Sequence, residues 1–319
     1  MPQSDSVRRQ LPKGAVLAQW AAADGWALRH FRWDSNAVPP RGSILFQGGR
    51  GDIPEKYFEA FAHWHDAGWG VESFDWRGQG GSGRLSADPM VGHVEDFATW
   101  VADLAAFFAD WRARTPAPHG VIAHSMGGHL LLRALAEGRI APDAAVLVAP
   151  MLGLQSGPLP ARIARIVAHG MTRIGSPARL AWKVNERPAG RNASREAFLT
   201  HDRDRYADEL WWKTRKPELA LGPPSWRWLA CAYDSTLALE RPGVLEAVAT
   251  PLLILAAAED RLVDPAAILR AARRLPDAAL HLYGPESAHE ILREVDAVRD
   301  DALGRIDAFL AARAPAAAR

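Results

Sequence analysis

Residues 119–138, HGVIAHSMGGHLLLRALAEG, place a short apolar run, a serine and a helical pattern in direct succession. The run 120–123 is too short for a helix and predicts a buried strand, whereas the apolar residues after Gly128 recur at helical spacing until Gly138. Ser125 therefore stands at a sharp turn from strand to helix, as the serine of a nucleophile elbow does. The stretch 123–127, AHSMG, matches G-x-S-x-G except for its first residue, an alanine. The alternative is that Ser125 only caps a helix.

The composition is that of a globular protein with room for one large core and an inserted lobe: 319 residues, 48% apolar and 24% charged. The formal net charge is +1, so no overall field attracts nucleic acid. Cys231 is the single cysteine and has no partner for a disulfide or a zinc pair. Residues 1–20 lack the apolar segment of a signal peptide or a membrane span. We expect a cytoplasmic protein, at most peripheral to the inner membrane.

Predicted strands and helices alternate along most of the chain. Two β-like runs flank Asp24-Gly25, which predicts an antiparallel hairpin at an edge of the sheet. Short apolar strands are predicted at 42–46, 70–75, 144–149, 251–256 and 278–283. Helices are predicted over 54–67, 94–111, 265–274 and 289–312. This alternation predicts an α/β protein with a mostly parallel sheet that is covered on both faces.

Residues 151–240 interrupt the alternation with clusters of proline and arginine and no clean strand pattern. We interpret them as a helical cap inserted into a catalytic domain formed by residues 1–150 and 241–319. Four of the five tryptophans in this insertion lie close together in two pairs: Trp211 and Trp212, and Trp226 and Trp228. They either line a channel for an acyl chain, with Trp211 and Trp212 as candidate substrate contacts, or form the core of the cap.

Carboxylates and a histidine follow the last two predicted strands. Asp260 comes after the strand at 251–256, with Glu259 and Asp264 as competitors, and His289 comes after the strand at 278–283. Parallel strands bring such loops to the edge of the sheet where the serine lies, and the order serine, acid, histidine is that of the fold with this elbow. A serine hydroxyl needs a histidine to take its proton and a carboxylate to orient that histidine. We therefore predict a Ser125, His289 and Asp260 triad.

A tetrahedral oxyanion needs two N–H donors. We expect one from Met126, which follows the nucleophile, and one from Arg50 in the glycine-rich loop after the strand at 42–46, with Gly49 as the alternative register. His124 flanks the nucleophile and is too close in sequence to act as its base. Gly49 and His124 are also candidate substrate contacts.

Residues 78–83, GQGGSG, fit the glycine pattern of a dinucleotide site. The segment after them does not begin a helix, and no strand ending in an acid follows at the required distance. Nicotinamide and flavin cofactors are therefore not expected.

The chain resembles the α/β-hydrolases, and within them the lysophospholipase L2 and monoacylglycerol lipase group, also called serine aminopeptidase S33. Its segment 75–82, DWRGQGGS, has the D-x-R-G-x-G-x-S pattern of the wider group, and the extension at 83–85 and the segment 206–212, YADELWW, favour the lysophospholipase branch. The resemblance extends from about residue 12 to 312. One departure is Gln47 before Gly48, where many relatives have His-Gly. The resemblance implies ester hydrolysis through an acyl-enzyme without metal or organic cofactor.

The predicted cap is basic: residues 151–235 contain 14 lysines and arginines against 8 aspartates and glutamates. A basic cap suits a phosphate-bearing amphiphile or an anionic lipid surface. Its apolar stripe comprises Leu159, Ile163, Ile166, Val167, Met171 and Ile174, with Arg162, Arg165 and Arg173 on another face. We expect this surface to contact a membrane transiently. The alternative is that the stripe packs on the catalytic domain.

These patterns favour a lysophospholipase that cleaves the ester of a lipid with one acyl chain. The alternatives are a monoacylglycerol lipase or short-chain carboxylesterase with the same triad and, more remotely, a non-catalytic binding protein with the same fold. In each case the expected partner is a small-molecule or lipid ester, and no nucleic acid is expected.

Overall fold

A computed structural model describes residues 7–155, 159–182 and 193–315 of the chain. Its centre is one sheet of eight strands in the order β1-β2-β4-β3-β5-β6-β7-β8. The strands are β1 (Val16–Ala21), β2 (Ala27–Trp33), β3 (Gly42–Gln47), β4 (Trp69–Phe74), β5 (His119–His124), β6 (Ala144–Val148), β7 (Leu252–Ala257) and β8 (Ala278–Tyr283). The β1–β2 hairpin is antiparallel and pairs antiparallel with β4, whereas β3 to β8 are parallel.

Alternate residues of the central strands enter two separate apolar cores. In β3, Ile44 and Phe46 pack on one face of the sheet and Leu45 packs on the other. A strand buried on both faces needs apolar residues at successive positions, which is why these strands appear in the sequence as short continuous apolar runs. The predicted mostly parallel and doubly covered sheet is confirmed.

Helices form a layer on each face of the sheet. One layer contains α1 (Phe58–Asp66) and α9 (Asp296–Arg313), and the other contains α2 (Phe97–Arg114), α3 (Met126–Ala136) and α8 (Pro265–Ala272). A single 3-10 turn, Pro54–Tyr57, precedes α1. This arrangement leaves the carboxyl ends of the parallel strands open at one edge, where ligands bind in sheets of this type.

The last helix begins later than its apolar pattern predicts. We expected it to begin at His289, but α9 begins at Asp296, and the intervening segment contains only a short 3-10 turn, Ile291–Arg293. Glu290 and Arg293 in this segment are buried and contact charged groups from other parts of the chain. The prediction was wrong here because those long-range contacts outweigh local helical spacing.

Within the described residues between β6 and β7 there are four further α-helices: α4 (Ala161–Thr172), α5 (Ala193–Leu199), α6 (Arg203–Arg215) and α7 (Trp226–Leu239). They fall within the predicted insertion at 151–240, of which residues 156–158 and 183–192 lie outside the described part of the chain. Helix α4 packs along α7, and α7 in turn contacts α2 and α3. No helix in the described ranges is both long enough and apolar enough to span a membrane.

Candidate active site

Ser125 occupies the turn between β5 and α3 in a strained backbone conformation, with φ 53° and ψ −119°. Positive φ is uncommon for residues other than glycine and costs about 1–3 kcal/mol. The surroundings hold the turn in place: the Ser125 N–H donates to the Val148 carbonyl at 2.9 Å, and its own carbonyl accepts from the N–H groups of His129 at 3.1 Å and Met151 at 3.0 Å. The turn therefore has the backbone of a nucleophile elbow.

Gly127 shows why this turn needs small residues. A Cβ at this position would lie 2.4 Å from the carbonyl oxygen of Gly48 and 2.7 Å from that of Gln47. Both are backbone atoms, so a side chain here would displace the loop after β3. The glycine allows that loop to lie directly against the elbow.

The loops after β5, β7 and β8 bring three predicted side chains into one chain of hydrogen bonds. Nδ1 of His289 lies 2.6 Å from Oδ2 of Asp260, and Nε2 of His289 lies 2.9 Å from Oγ of Ser125. The other carboxylate oxygen of Asp260 accepts from the N–H groups of Leu262 at 2.8 Å and Val263 at 3.0 Å. This is the geometry in which a histidine can take the proton of a serine hydroxyl.

The charges in this group support one another. Burial opposes ionisation of Asp260, but His289 and the two N–H donors outweigh it and lower the pKa of the carboxyl below its ordinary value. Burial likewise opposes a charged His289, yet the Asp260 carboxylate raises the pKa of the imidazole above its ordinary value. Because an ionised carboxylate only accepts, Nδ1 of His289 carries the proton and Nε2 is left to accept from Ser125.

The competing carboxylates do not contact the histidine in this way. Asp264 is the N-cap of α8 and accepts from the Ala266 N–H at 2.9 Å. Glu259 is exposed beside Asp260. The structure therefore brings Asp260, and not its two neighbours, into the site.

The glycine-rich loop after β3 lies beside Ser125. The Gly49 N–H, the alternative donor to the oxyanion, donates instead to Oδ2 of Asp52 at 2.7 Å. Arg50 and Met126 line the same cavity as Ser125. Met126 is the first residue of α3, and the N–H groups of a first helical turn lie outside the intrahelical hydrogen bonds.

Above Ser125 lies a cavity of about 500 Å³. Much of its wall is apolar and comes from the helices and loops between β6 and β8. The apolar lining includes Leu154, Val167, Trp182, Trp226, Trp228 and Leu229. Charged groups also line it, among them Arg50, Asp52, Lys56, Arg195, Glu209, Arg261 and Glu290. The cavity therefore combines an apolar wall with charged groups near Ser125 and His289.

The two tryptophan pairs of the insertion lie in different places. Trp226 and Trp228 line the cavity, but Trp211 and Trp212 do not. The Trp212 ring packs edge-on against Phe58 of α1 at 5.9 Å, its Nε1–H donates to the Arg8 carbonyl at 2.8 Å, and Trp211 packs against it. Trp211 and Trp212 therefore lie away from this cavity, because their helix, α6, presents them to α1 and the N-terminal segment.

Sequence reasoning missed a buried charge cluster beside the triad. It comprises Asp52, Lys56, Glu209, Lys213, Glu290 and Arg293, joined by ion pairs such as Lys56–Asp52 at 2.5 Å, Lys56–Glu290 at 2.5 Å and Arg293–Glu209 at 3.1 Å. The spacing of Asp52 and Lys56, four residues apart, was an available signal. The pairing with Glu209 and Glu290 joins three distant segments and has no local signature.

The model of the family described as serine aminopeptidase S33 matches residues 38–296, most of the chain. The chain belongs to this family. Two curated relatives agree with that placement. Lysophospholipase L2 of Escherichia coli K12 is 35% identical over 287 residues, covering 83% of this chain and 79% of that protein. The probable lysophospholipase L2 of Haemophilus influenzae is 28% identical over 290 residues, covering 89% and 88%.

Solved structures support the fold of this S33 family member. A soluble variant of the monoglyceride lipase of Saccharomyces cerevisiae, in complex with a substrate analog, has a TM-score of 0.73 at 19% identity and covers 98% of this chain and 100% of that one. A thermostable carboxyl esterase of Bacillus coagulans has a TM-score of 0.69 at 15% identity. The predicted α/β-hydrolase fold is confirmed, and the chain is a carboxylic ester hydrolase.

Proposed function

We propose that this protein is a lysophospholipase, which removes the single acyl chain of a lysophospholipid with Ser125, His289 and Asp260 as its triad. The observation that carries the proposal is the hydrogen-bonded row of these three side chains under a cavity whose wall is largely apolar. The curated lysophospholipase L2 relatives support the substrate class.

In the first half of the reaction, Oγ of Ser125 attacks the ester carbonyl carbon while Nε2 of His289 takes the hydroxyl proton. The backbone N–H groups of Met126 and Arg50 donate to the oxyanion that forms. The tetrahedral intermediate collapses, the bond from the carbonyl carbon to the alcohol oxygen breaks, and His289 gives its proton to that oxygen. The glycerol-containing alcohol leaves, and the acyl group stays on Ser125.

In the second half, water attacks the acyl carbon while Nε2 of His289 takes one of its protons. The second tetrahedral intermediate releases the fatty acid, and His289 returns the proton to Oγ of Ser125. Asp260 stays ionised throughout and stabilises the imidazolium form of His289, consistent with the lowered pKa of its carboxyl.

The cavity supports a substrate with one acyl chain. A volume of about 500 Å³ lies within the roughly 300–1,000 Å³ range of pockets that hold one small molecule. Apolar side chains such as Leu154, Val167 and Trp226 can cover an acyl chain and remove it from water.

The charged lining supports a phosphate-bearing head group over an uncharged glycerol. Arg50, Arg195 and Arg261 line the cavity. Guanidinium groups bind phosphate oxygens through charge-assisted hydrogen bonds, whereas a glycerol hydroxyl gains no such charge pairing.

The surface of α4 supports contact with an anionic membrane. Ile166 and Ile174 are 68% and 64% exposed, and Arg162, Arg165 and Arg173 are exposed beside them. The buried face of the helix is formed by Ala164 and Ala168, and the exposure of Ile166 and Ile174 supports membrane contact over packing of the stripe on the catalytic domain. Leu159 and Val167 belong both to this surface and to the cavity lining.

The test compares hydrolysis of lysophosphatidylcholine, monooleoylglycerol and p-nitrophenyl butyrate by wild type and Ser125→Ala. We expect the lysophospholipid to have the highest kcat/KM and Ser125→Ala to lose at least about 10³-fold in kcat. Preference for monooleoylglycerol would indicate a monoacylglycerol lipase, and preference for the butyrate a short-chain carboxylesterase. Full activity of Ser125→Ala would contradict the triad, whereas failure of a fluorophosphonate to label Ser125 would support a binding protein instead.

A further inference from the structure

The Asp52 carboxylate lies at the centre of the contacts around the triad. Its Oδ2 accepts from the Gly49 N–H at 2.7 Å and from the Tyr57 hydroxyl at 2.7 Å, and it lies 3.0 Å from Nδ1 of His124. Its Oδ1 lies 2.5 Å from Nζ of Lys56. Burial opposes the charge of Asp52, but Lys56 and His124 hold the pKa of the carboxyl well below its ordinary value. Asp52 therefore acts only as an acceptor.

Asp52 holds the backbone of the glycine-rich loop from two sides. Besides the bond from the Gly49 N–H to its carboxylate, its own N–H donates to the Gly49 carbonyl at 3.4 Å. In a trans peptide the C=O and the following N–H point in opposite directions, so the Arg50 N–H is directed away from Asp52. Without these contacts, two successive glycines would allow the loop many other conformations.

The same loop lies against the nucleophile. A Cβ on Gly49 would be 2.9 Å from Cβ of Ser125. The Gly51 N–H, on the other side of Arg50, donates to Oε1 of Gln79 at 2.7 Å. The peptide that carries the expected oxyanion donor is therefore held between two buried side chains, Asp52 and Gln79.

Asp52 also connects to the segments that carry the nucleophile and the base. His124 directly precedes Ser125, and Nε2 of His124 lies 3.3 Å from the backbone carbonyl oxygen of His289. Lys56, the ion-pair partner of Asp52, lies 2.5 Å from Oε1 of Glu290, the residue after His289. One carboxylate thus contacts the oxyanion loop directly and reaches the other two catalytic segments through one intermediate side chain each.

We propose that Asp52 is a positioning residue for ester hydrolysis: its ionised carboxylate keeps the Gly49–Arg50 peptide, the Ser125 turn and the His289 loop in register. The inference rests on the proposed function, because it assigns the Arg50 N–H to the oxyanion. Asp52 neither attacks the ester nor moves a proton. It fixes the direction of the Arg50 N–H before the negative charge develops on the ester oxygen.

The test uses Asp52→Ala and the milder Asp52→Asn, which keeps an acceptor oxygen for the Gly49 N–H but loses the charge. Rates with p-nitrophenyl butyrate are divided by the number of sites that a fluorophosphonate titrates, so partly unfolded enzyme does not count. We expect kcat per titrated site to fall about 100-fold in Asp52→Ala and about 10-fold in Asp52→Asn, with KM changed by less than about threefold.

A short-chain trifluoromethyl ketone provides a second readout. It forms a hemiketal oxyanion on Ser125, so its inhibition constant should rise in parallel with the loss of kcat. A merely structural role would lower the melting temperature and the titrated fraction without changing either quantity per site. If Asp52→Ala does not fold, Asp52→Asn carries the test.

Asp103→Asn is the matched control. Asp103 is also a buried carboxylate in an ion pair, with Arg77 at 2.7 Å, but it lies outside the cavity lining. The inference is overturned if kcat per site of Asp52→Asn equals that of wild type, if Asp103→Asn loses as much, or if ketone inhibition is unchanged. If Ser125→Ala loses activity while the Asp52 variants keep the wild-type kcat per site, only this inference is refuted. Full activity in Ser125→Ala would refute the proposed function itself.

Discussion

Nδ1 of His289 lies 2.6 Å from Oδ2 of Asp260, and both side chains are buried. Two outcomes were open for such a pair, since burial lowers the pKa of an imidazole and a neighbouring carboxylate raises it. Here the carboxylate outweighs burial, and the pKa of His289 is raised above its ordinary value. The pair therefore controls the pH at which the base can work.

The first prediction concerns that pH. His289 must be neutral to take the Ser125 proton, so kcat/KM for a soluble ester should fall as the pH drops through the pKa of His289. Because this pKa is raised, half of the limiting value should be reached above pH 6.5, the ordinary value for histidine. A pH profile with p-nitrophenyl butyrate measures this. A midpoint below pH 6.5 would contradict the assignment of His289 as a base paired with Asp260.

The second prediction removes the carboxylate. In Asp260→Asn the largest influence that raises the pKa of His289 is lost, and burial is then opposed only by the more weakly acting Glu290 and Asp52, so the acidic midpoint should move to lower pH. We expect kcat to fall about 10³–10⁴-fold because the imidazole loses its orientation and its counter-charge. Glu259→Gln, an exposed neighbour in the same loop, is the control and should keep the wild-type profile. Equal effects of the two substitutions would show that the loop, and not the Asp260 carboxylate, matters.

Much of the fold and of the triad could be predicted because both have local signatures. The central strands are buried on both faces and so form continuous apolar runs, and the turn chemistry at 123–127 places a serine between a strand and a helix. The spacing of Asp260 and His289 behind two late strands placed their side chains at the edge of the sheet where the structure shows them.

The remaining features depend on contacts between distant segments. Nothing near Trp212 in the sequence indicates that its ring packs on Phe58, a contact set by the docking of α6 on α1. The late start of α9 has a similar cause: Glu290 is ion-paired with Lys56, which lies far away in the sequence and is held by Asp52. Helical spacing indicates only which residues share one face of a helix. It does not indicate which charged residues from distant segments will contact them.

The third prediction concerns Gly127. A Cβ there would meet two backbone oxygens, of Gly48 and Gln47, at less than 3 Å, so Gly127→Ala should displace the oxyanion loop, lower the melting temperature and reduce kcat by at least about tenfold. Gly304→Ala is the control, because nothing lies within 4 Å of its Cβ and its helical position, in α9, favours alanine by about 1 kcal/mol. Normal kcat in Gly127→Ala would show that the loop adjusts without loss of the donor.

The fourth prediction tests the apolar wall of the cavity. Val167 lines the cavity and is 45% exposed, so Val167→Trp can be accommodated on the surface side while it narrows the space for an acyl chain. We expect kcat/KM for detergent-dispersed long-chain lysophosphatidylcholine to fall about tenfold and that for p-nitrophenyl butyrate to change little. Leu280→Trp, at a similarly exposed site on β8, is the control. An equal loss with both substrates would mean that this wall does not hold the acyl chain.

The fifth prediction concerns the exposed face of α4 and the segment after it. Replacing Ile166 and Ile174 by glutamine removes apolar surface that would otherwise enter the lipid boundary, so sedimentation with vesicles of phosphatidylglycerol and phosphatidylcholine should fall about tenfold. The exposed Arg162, Arg165 and Arg173 should make wild-type binding weaker with pure phosphatidylcholine and at high salt, because both conditions remove the electrostatic attraction. Leu282→Gln, at an exposed position on β8, controls for a general loss of surface hydrophobicity. If the double variant sediments as wild type does, the membrane contact lies elsewhere. If only the salt dependence is missing, the contact is apolar and Arg162, Arg165 and Arg173 do not contribute to it.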